Sequence, residues 1–399
     1  MMVLWKKNLV FLWIAQFFSI AGFSFALPFT PFYLQELGIE DPTQLRVWSG
    51  LVSAAAGFSM AIMTPFWGYL ADRFGKKPMA LRATLGGTIA LCGIGLSQSP
   101  GMMLGFRIIQ GAFTGTVMAI LTLAVAETPK ERVGLTIGLM NAAVFVGNSV
   151  APLAGGVFSD MFGYRASFFV AAGFLFVSFT LALFFVQENF VSQPNKAFSF
   201  FADSKSLLMF GGVLPIVGLF WLYGISRTLQ MPVLPLFIRE LMGTDLRVAT
   251  QTGIVTSAAG IASVLSGILF GSLADKGNIL HIGRLCAFSA SLLGGSILLI
   301  HKVWHLVALY FLAAFFIGGI DAILKILLTR IVPASQQGSA FGLLGSSRAF
   351  GWSMGSLSGG VLAAFLGFRA VFVLTAGFFL LIALILHLLS RSKVLAIKN

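Results

Sequence analysis

The strongest constraint in this chain of 399 residues is a pattern of apolar runs, each about 20 residues or longer, separated by short polar joints. A run of that length crosses a bilayer as a helix, because hydrocarbon offers no partner to an unpaired backbone group. The joints are also written twice. Gly68-Tyr69-Leu70-Ala71-Asp72-Arg73-Phe74-Gly75-Lys76-Lys77 lies between two apolar runs, and its first half returns 203 positions later as Gly271-Ser272-Leu273-Ala274-Asp275-Lys276. Pro28-Phe29-Thr30-Pro31, followed by Glu36-Leu37, returns at an offset of 204 as Pro232-Val233-Leu234-Pro235, followed by Glu240-Leu241. Ser49-Gly50-Leu51-Val52 returns as Thr252-Gly253-Ile254-Val255. Gly155-Gly156-Val157 and Gly163-Tyr164-Arg165-Ala166 return as Gly359-Gly360-Val361 and Gly367-Phe368-Arg369-Ala370. A chain that repeats in this way reads as a duplicated bundle of membrane helices, the plan of a transporter with its substrate site between two repeats.

Windows of about 19 residues place the spans. They fall near 8–35, 46–71, 78–98, 102–127, 134–158, 165–186, 209–238, 250–274, 282–301, 305–330, 338–364 and 370–390. The expected fold is all-α, with twelve transmembrane helices in two pseudo-symmetric six-helix bundles, 1-190 and 209-399. Between them lies a polar linker, 191-208, with Pro194, Asn195 and charges of both signs. Only 10% of residues are charged, against roughly 25% in soluble domains, so a soluble protein is excluded. Runs of this length also exclude an outer-membrane barrel, whose strands alternate over about ten residues.

The net charge of +13 would point to nucleic acid in a soluble protein. Here its distribution explains it. With the N-terminus inside, 16 of the 26 Lys and Arg fall in cytoplasmic segments, Arg82 counted among them, and 6 fall on the opposite side. That bias puts both termini in the cytoplasm of a cell whose inner membrane the chain crosses. Lys6 and Lys7 precede the first apolar run, but the run is too long for a signal peptide and its end has a copy in the second half. Cys92 and Cys286 lie inside apolar runs and read as reduced packing residues.

Three motifs carry a resemblance. Gly68-x-x-x-Asp72-Arg73-x-Gly75-Lys76-Lys77 is similar to the loop 2–3 signature of the major facilitator superfamily, with Lys76 where Arg is usual. Arg107-x-x-Gln110-Gly111 resembles that family's fourth-span signature. Gly138, Gly147, Ala151-Pro152 and Gly155-Gly156 resemble the fifth-span signature of its drug–proton antiporters, with Ala151 where Gly is usual. The likeness covers the whole chain. The Pro28–Pro31 segment and Gly367-Phe368-Arg369-Ala370-Val371-Phe372 make it most similar to the twelve-span multidrug efflux proteins of the MdtG type.

Each motif has a physical reading beside a plainer one. In loop 2–3, Gly68 and Gly75 are expected to allow a close approach and a tight turn. Asp72 at a helix end can face the N-terminus of a helix of the other half. The resemblance implies that this contact latches the outward-open state, with Arg73 and Lys76 near Glu127 and a weaker copy at Asp275. The plainer reading is a basic loop that only sets topology. In the fifth span, Gly147, Ala151 and Gly155 share a face and Pro152 frees a carbonyl, which suits a hinge against the eighth span. The plainer reading is small-residue packing.

Ionisable groups at membrane depth are costly, about 2.5–3.5 kcal/mol for Arg, Lys or Asp at a helix centre, so each is a site hypothesis. Five stand out: Arg107, Arg227, Asp321, Lys325 and Arg348. Asp321 and Lys325 are i, i+4, and Arg348 sits at matching depth on the next span, so Asp321 is expected to pair with one or both. Asp321 is either the carboxylate that carries a proton or a permanent structural ion. The resemblance implies that Arg107 assists proton transfer; otherwise it is a buried structural arginine. Arg227 lines a cavity or sits at an interface. Gln16, Gln110, Asn141 and Asn148 are the remaining polar candidates. Four cations against one anion favour anionic, zwitterionic or neutral cargo.

No enzyme motif is present. His281, His301, His305 and His387 fall at span ends and loops, no metal site is expected, and no Walker-type loop is found. No cofactor is expected; energy comes from a proton gradient. The reading is a secondary transporter that exports small amphipathic compounds by alternating access, working in the lipid bilayer as a monomer, without nucleic acid. The alternatives are transport of one anionic metabolite, such as an organic acid or siderophore, and a transporter-like sensor that moves nothing.

Overall fold

A computed structural model describes residues 4–190, 213–276, 278–332 and 337–391. The expected linker lies outside them, as does the side chain of Asp275. Among the described residues the chain is helical throughout. The helices are α1 (Leu4–Ala26), α2 (Thr30–Glu36), α3 (Pro42–Phe74), α4 (Lys76–Gly95), α5 (Pro100–Phe113), α6 (Thr116–Ala126), α7 (Val133–Phe162) and α8 (Tyr164–Phe185). The second half has α9 (Val213–Thr228), α10 (Leu234–Met242), α11 (Val248–Lys276), α12 (Ile279–Gly295), α13 (Val303–Ile331), α14 (Gln337–Leu366) and α15 (Phe368–Arg391).

Among the described residues, ten helical segments are long and apolar enough to cross a membrane. The other two expected spans are also helices. One is α4, which carries Lys76, Lys77 and Arg82 near its start. The other is α9, whose 16 described residues are followed by the separate α10. Large apolar side chains such as Ile62, Phe184, Leu299 and Phe365 stand exposed. In a bilayer such side chains meet lipid instead of water.

The sequence repeat is a structural repeat. The prolines at Pro28 and Pro31 break the first span, which resumes as α2 at Thr30; the seventh resumes as α10 at Leu234, 204 positions on. One glycine alone joins α7 to α8 and one joins α14 to α15: Gly163 with φ 85° and Gly367 with φ 81°. These left-handed conformations are open to glycine at no steric cost. The packing repeats as well. Tyr33 meets Phe168 with ring centroids 5.2 Å apart, and Phe237 meets Phe372 at 5.1 Å. Arg165 donates to the Ser97 carbonyl at 3.1 Å, and Arg369 to the Ile300 carbonyl at 3.3 Å. A Cβ on Gly155 would strike the Phe25 carbonyl; on Gly359 it would strike the Leu229 carbonyl.

Two compact units emerge from the contacts. The first holds residues 4–40, 58–190 and 244–257; the second holds 41–57, 213–243 and 258–391. The second half thus lends the start of α11 to the first unit, and the first half lends the start of α3 to the second. In the first unit α1 packs on α7 and α8, and α4 on α8, α5 and α6. In the second, α9 packs on α14, and α12 on α15 and α13. Its core is Leu-, Ile- and Phe-rich, built around Tyr223, Phe220, Ile323, Leu327 and Phe379.

Candidate functional site

In the second unit, α9 and α14 approach closely because glycines face the contact. A Cβ on Gly224 would lie 2.8 Å or less from the Arg348 carbonyl, at 2.7 Å, and one on Gly351 would strike the Trp221 carbonyl. This approach sets a charged group around Asp321. Its Oδ2 accepts from Lys325 Nζ at 2.6 Å, and its Oδ1 from Arg348 Nη1 at 3.3 Å. The carboxylate thus engages both cations. Asp321 is 19% exposed, whereas Lys325 and Arg348 are 48% and 38% exposed. The anion is therefore sheltered and its two partners are more exposed.

Arg227 belongs to the same group. Its Nη1 lies 3.4 Å from the hydroxyl of Tyr223, which is fully buried, and Tyr223 donates to the Ile317 carbonyl at 3.5 Å. The Arg348 guanidinium lies 5.9 Å from the centroid of the Tyr223 ring. Tyr223 is thus common to Arg227 and Arg348, and sequence reasoning missed it. Its only signal was the spacing of four from Arg227. Three cations surround one carboxylate and one phenol here, so the group keeps a positive excess.

The first-unit candidates are more dispersed. Arg107 and Gln110 are both buried on α5, and Arg107 Nη1 donates to Gln110 Oε1 at 2.7 Å. Gln16 is 1% exposed, and its buried Oε1 has no hydrogen-bond partner among the described residues. Asn148 Oδ1 accepts from Ser24 Oγ at 2.7 Å. Asn141 is exposed.

At loop 2–3, α3 runs on through Gly68, and a Cβ there would meet nothing within 4 Å. Among the described residues, none makes the close approach expected at Gly68. The turn is made by Gly75 alone, with φ 101°. Asp72 and Arg73 lie in the last turn of α3, where Arg73 Nη1 is 3.5 Å from the Tyr69 hydroxyl. The N-terminus of α4 is capped by a residue that the sequence did not single out. Glu188 accepts from the backbone N–H of Lys76 at 2.7 Å and of Lys77 at 2.9 Å. Lys77 Nζ returns to the carbonyls of Leu183 and Val186 at the end of α8. Glu127 accepts from the backbone N–H of Asn189 at 3.0 Å.

The fifth-span motif presents small residues to two neighbours. A Cβ on Gly147 would lie 2.9 Å from Ile20, and Gly155 faces the Phe25 backbone, both on the side of the first span. On the other side, Gly156 lies against the Ala249 carbonyl and Gly253 against that of Pro152. Ala151 is buried, and Leu153 N–H donates to Ser257 Oγ at 3.1 Å beside the proline. Gly138 has open space instead. At the end of α7, Asp160 caps α11: it accepts from Ala249 N–H at 3.3 Å, Thr250 N–H at 2.7 Å and Thr250 Oγ1 at 2.5 Å. Asp160 was also missed, since nothing in the sequence ties it to a segment 90 residues away.

No cluster of three or more His, Cys, Asp or Glu among the described residues could hold a metal ion. The sequence profile described as "Major Facilitator Superfamily" matches residues 12–214 and 216–397. The chain is 34% identical over 380 residues to the "Multidrug resistance protein MdtG" of Proteus mirabilis, covering 93% of each. It is 32% identical over 374 residues to the protein of the same name from Salmonella choleraesuis, covering 94% of this chain and 93% of that one. Among solved structures it is similar to the nucleoside transporter NupG, with a TM-score of 0.78 at 14% identity, covering 96% of this chain and 99% of that one. The human organic anion transporter MFSD10 gives a TM-score of 0.72 at 16% identity, covering 96% and 99%.

Proposed function

Because this chain belongs to the Major Facilitator Superfamily, a family of membrane transporters and not of enzymes, we propose that it exports small amphipathic compounds against their gradient, driven by protons. The names of its MdtG relatives support multidrug efflux as the activity. The chain is a multi-pass membrane protein; its place is the inner membrane, with both termini in the cytoplasm, on the evidence of the Lys and Arg distribution.

The observation that carries the coupling is Asp321, held between Lys325 of its own helix and Arg348 of the next span. A sheltered carboxylate is neutralised either by a cation or by a proton. A shift of α14 against α13 that accompanies alternating access removes Arg348 from Asp321 and leaves Lys325, so that a proton can take the place of the lost cation. Asp72 at loop 2–3 and the small-residue face of α7 against α11 serve as latch and hinge for the same motion. The cations left over, Arg227, Lys325 and Arg348, favour cargo that is anionic, zwitterionic or neutral. A defined anionic metabolite is the second reading, supported by the same positive excess.

The test is dye efflux from proteoliposomes under an imposed pH gradient, with wild-type protein and Asp321→Asn. The variant is expected to lose uphill transport while still allowing downhill exchange. Uphill transport at the wild-type rate by Asp321→Asn would move the coupling elsewhere and leave Asp321 a structural ion.

A further inference from the structure

The two halves close one aromatic pair in different ways. In the first unit, Trp67 of α3 and Phe113 of α5 have ring centroids 5.9 Å apart. At an offset of 203, Phe270 of α11 and Phe316 of α13 lie 6.2 Å apart. In the second unit the surroundings are apolar. A Cβ on Gly319 would lie 2.7 Å from the Phe270 ring and 2.8 Å from Cys286 Sγ, so ring and thiol share one small space. The two helices are in register at 203, from Lys76 and Ile279 at their starts, so Cys286 corresponds to Ala83 and the residue that corresponds to Arg82 is Leu285.

Arg82 was counted from the sequence among the cytoplasmic cations, at the start of the span 78–98; it lies in the second turn of α4, six residues past Lys76. At 1.5 Å per residue that is about 9 Å along the helix, near the level where headgroups meet hydrocarbon. Its guanidinium carbon lies 3.7 Å from the centroid of the Trp67 ring, a close cation–π stack. Its Nε and Nη1 are buried and have no hydrogen-bond partner among the described residues. The ring under it is itself fixed. Trp67 Nε1 donates at 2.6 Å to the Ala112 carbonyl. That carbonyl lies in the last turn of α5, where the fourth span breaks and Gly115 takes φ 102°. The equivalent α13 runs unbroken from Val303 to Ile331.

A packing role does not require a guanidinium here, since the second half has Leu285 at the same position. The first half instead orients a planar cation on a clamped indole and leaves two of its donors unused. We propose that Arg82, stacked on Trp67, is a binding site for one phosphate or carboxylate group of an amphiphile, present in the first half only. The fork of a guanidinium suits either anion. Two sources share this chemistry: the headgroup of an anionic lipid, and the acidic end of a small amphipathic acid. The site is independent of proton coupling and stands or falls separately from it.

The full-length protein, delipidated in neutral detergent, is titrated with phosphatidylglycerol against phosphatidylcholine, and with octanoate against octanol. Bound lipid is counted by native mass spectrometry, and both ligand pairs are read by thermal shift. Wild type is expected to bind one more phosphatidylglycerol than phosphatidylcholine, or to be stabilised by octanoate and not by octanol. The first outcome assigns the site to lipid, the second to a soluble acid. Arg82→Gln is expected to weaken the anion-specific binding at least tenfold. Equal anion affinity in wild type and Arg82→Gln, or no preference for anions in wild type, would overturn the proposal. If Arg82→Gln does not purify, Arg82→Lys decides: it keeps the charge but not the fork, and several-fold weaker binding is expected, whereas unchanged affinity rejects the site.

Discussion

Asp321 accepts from two cations at once, and Tyr223 links Arg227 to Arg348. Changing one member therefore alters the charge offered to the cargo without removing the rest. We expect Arg227→Gln to raise the KM for an anionic dye about tenfold, the loss of one charge-assisted hydrogen bond, and to leave a neutral dye within twofold. Initial rates over a concentration series read this split; an equal effect on both dyes would make Arg227 structural. The Asp321 pairing was legible in the sequence, because i, i+4 spacing and matching depth place the groups together. Tyr223, Asp160 and Glu188 were not. Tyr223 is a hydrophobic-looking residue in an apolar run, and the two acids act on backbone N–H groups of distant segments. Arg82 was misread for another reason: it was counted with the cytoplasmic cations although the window 78–98 already holds it, and the helix that begins at Lys76 carries it into the second turn.

At the level of helices, glycines decide how close two backbones come. Gly155 on α7 and Gly359 on α14 make the same contact in the two units, against the carbonyls of Phe25 and Leu229, whereas a Cβ on Gly138 would meet nothing within 4 Å among the described residues. An added methyl at either buried site forces a backbone shift costing about 1–3 kcal/mol. Gly155→Ala and Gly359→Ala are thus expected to lower the unfolding temperature in detergent by several degrees, and Gly138→Ala to leave it unchanged. The cap on α11 gives a further test. Asp160→Ala removes the acceptor for two backbone N–H groups and a hydroxyl, which is expected to cost about 0.5–2 kcal/mol, the usual range for a helix cap. Thermal unfolding measures that as well; no loss of stability would show that the N–H groups find another acceptor. Span positions and the internal repeat were readable because apolar length and glycine spacing are local. The break of the fourth span at Gly115 was not, since no proline marks it and the second half lacks it.

For the whole molecule, the two halves share a scaffold and differ in the charged groups it carries. The repeated features, Tyr33 with Phe168 and Phe237 with Phe372, Arg165 and Arg369, Gly163 and Gly367, are those that hold helices together. The unrepeated ones carry charge: Asp321, Lys325 and Arg348 in the second half, Arg107 and Arg82 in the first. On the proposed reading of a proton-coupled exporter, Asp321 titrates while the scaffold around it does not. The most direct test is efflux of matched anionic and cationic dyes from proteoliposomes under an imposed proton gradient. Wild type is expected to export the anionic dye uphill several-fold faster than the cationic one, and to stop when a protonophore collapses the gradient. A preference for the cationic dye, or uphill export that survives the protonophore, would contradict a proton-driven exporter whose cargo meets Arg227, Lys325 and Arg348.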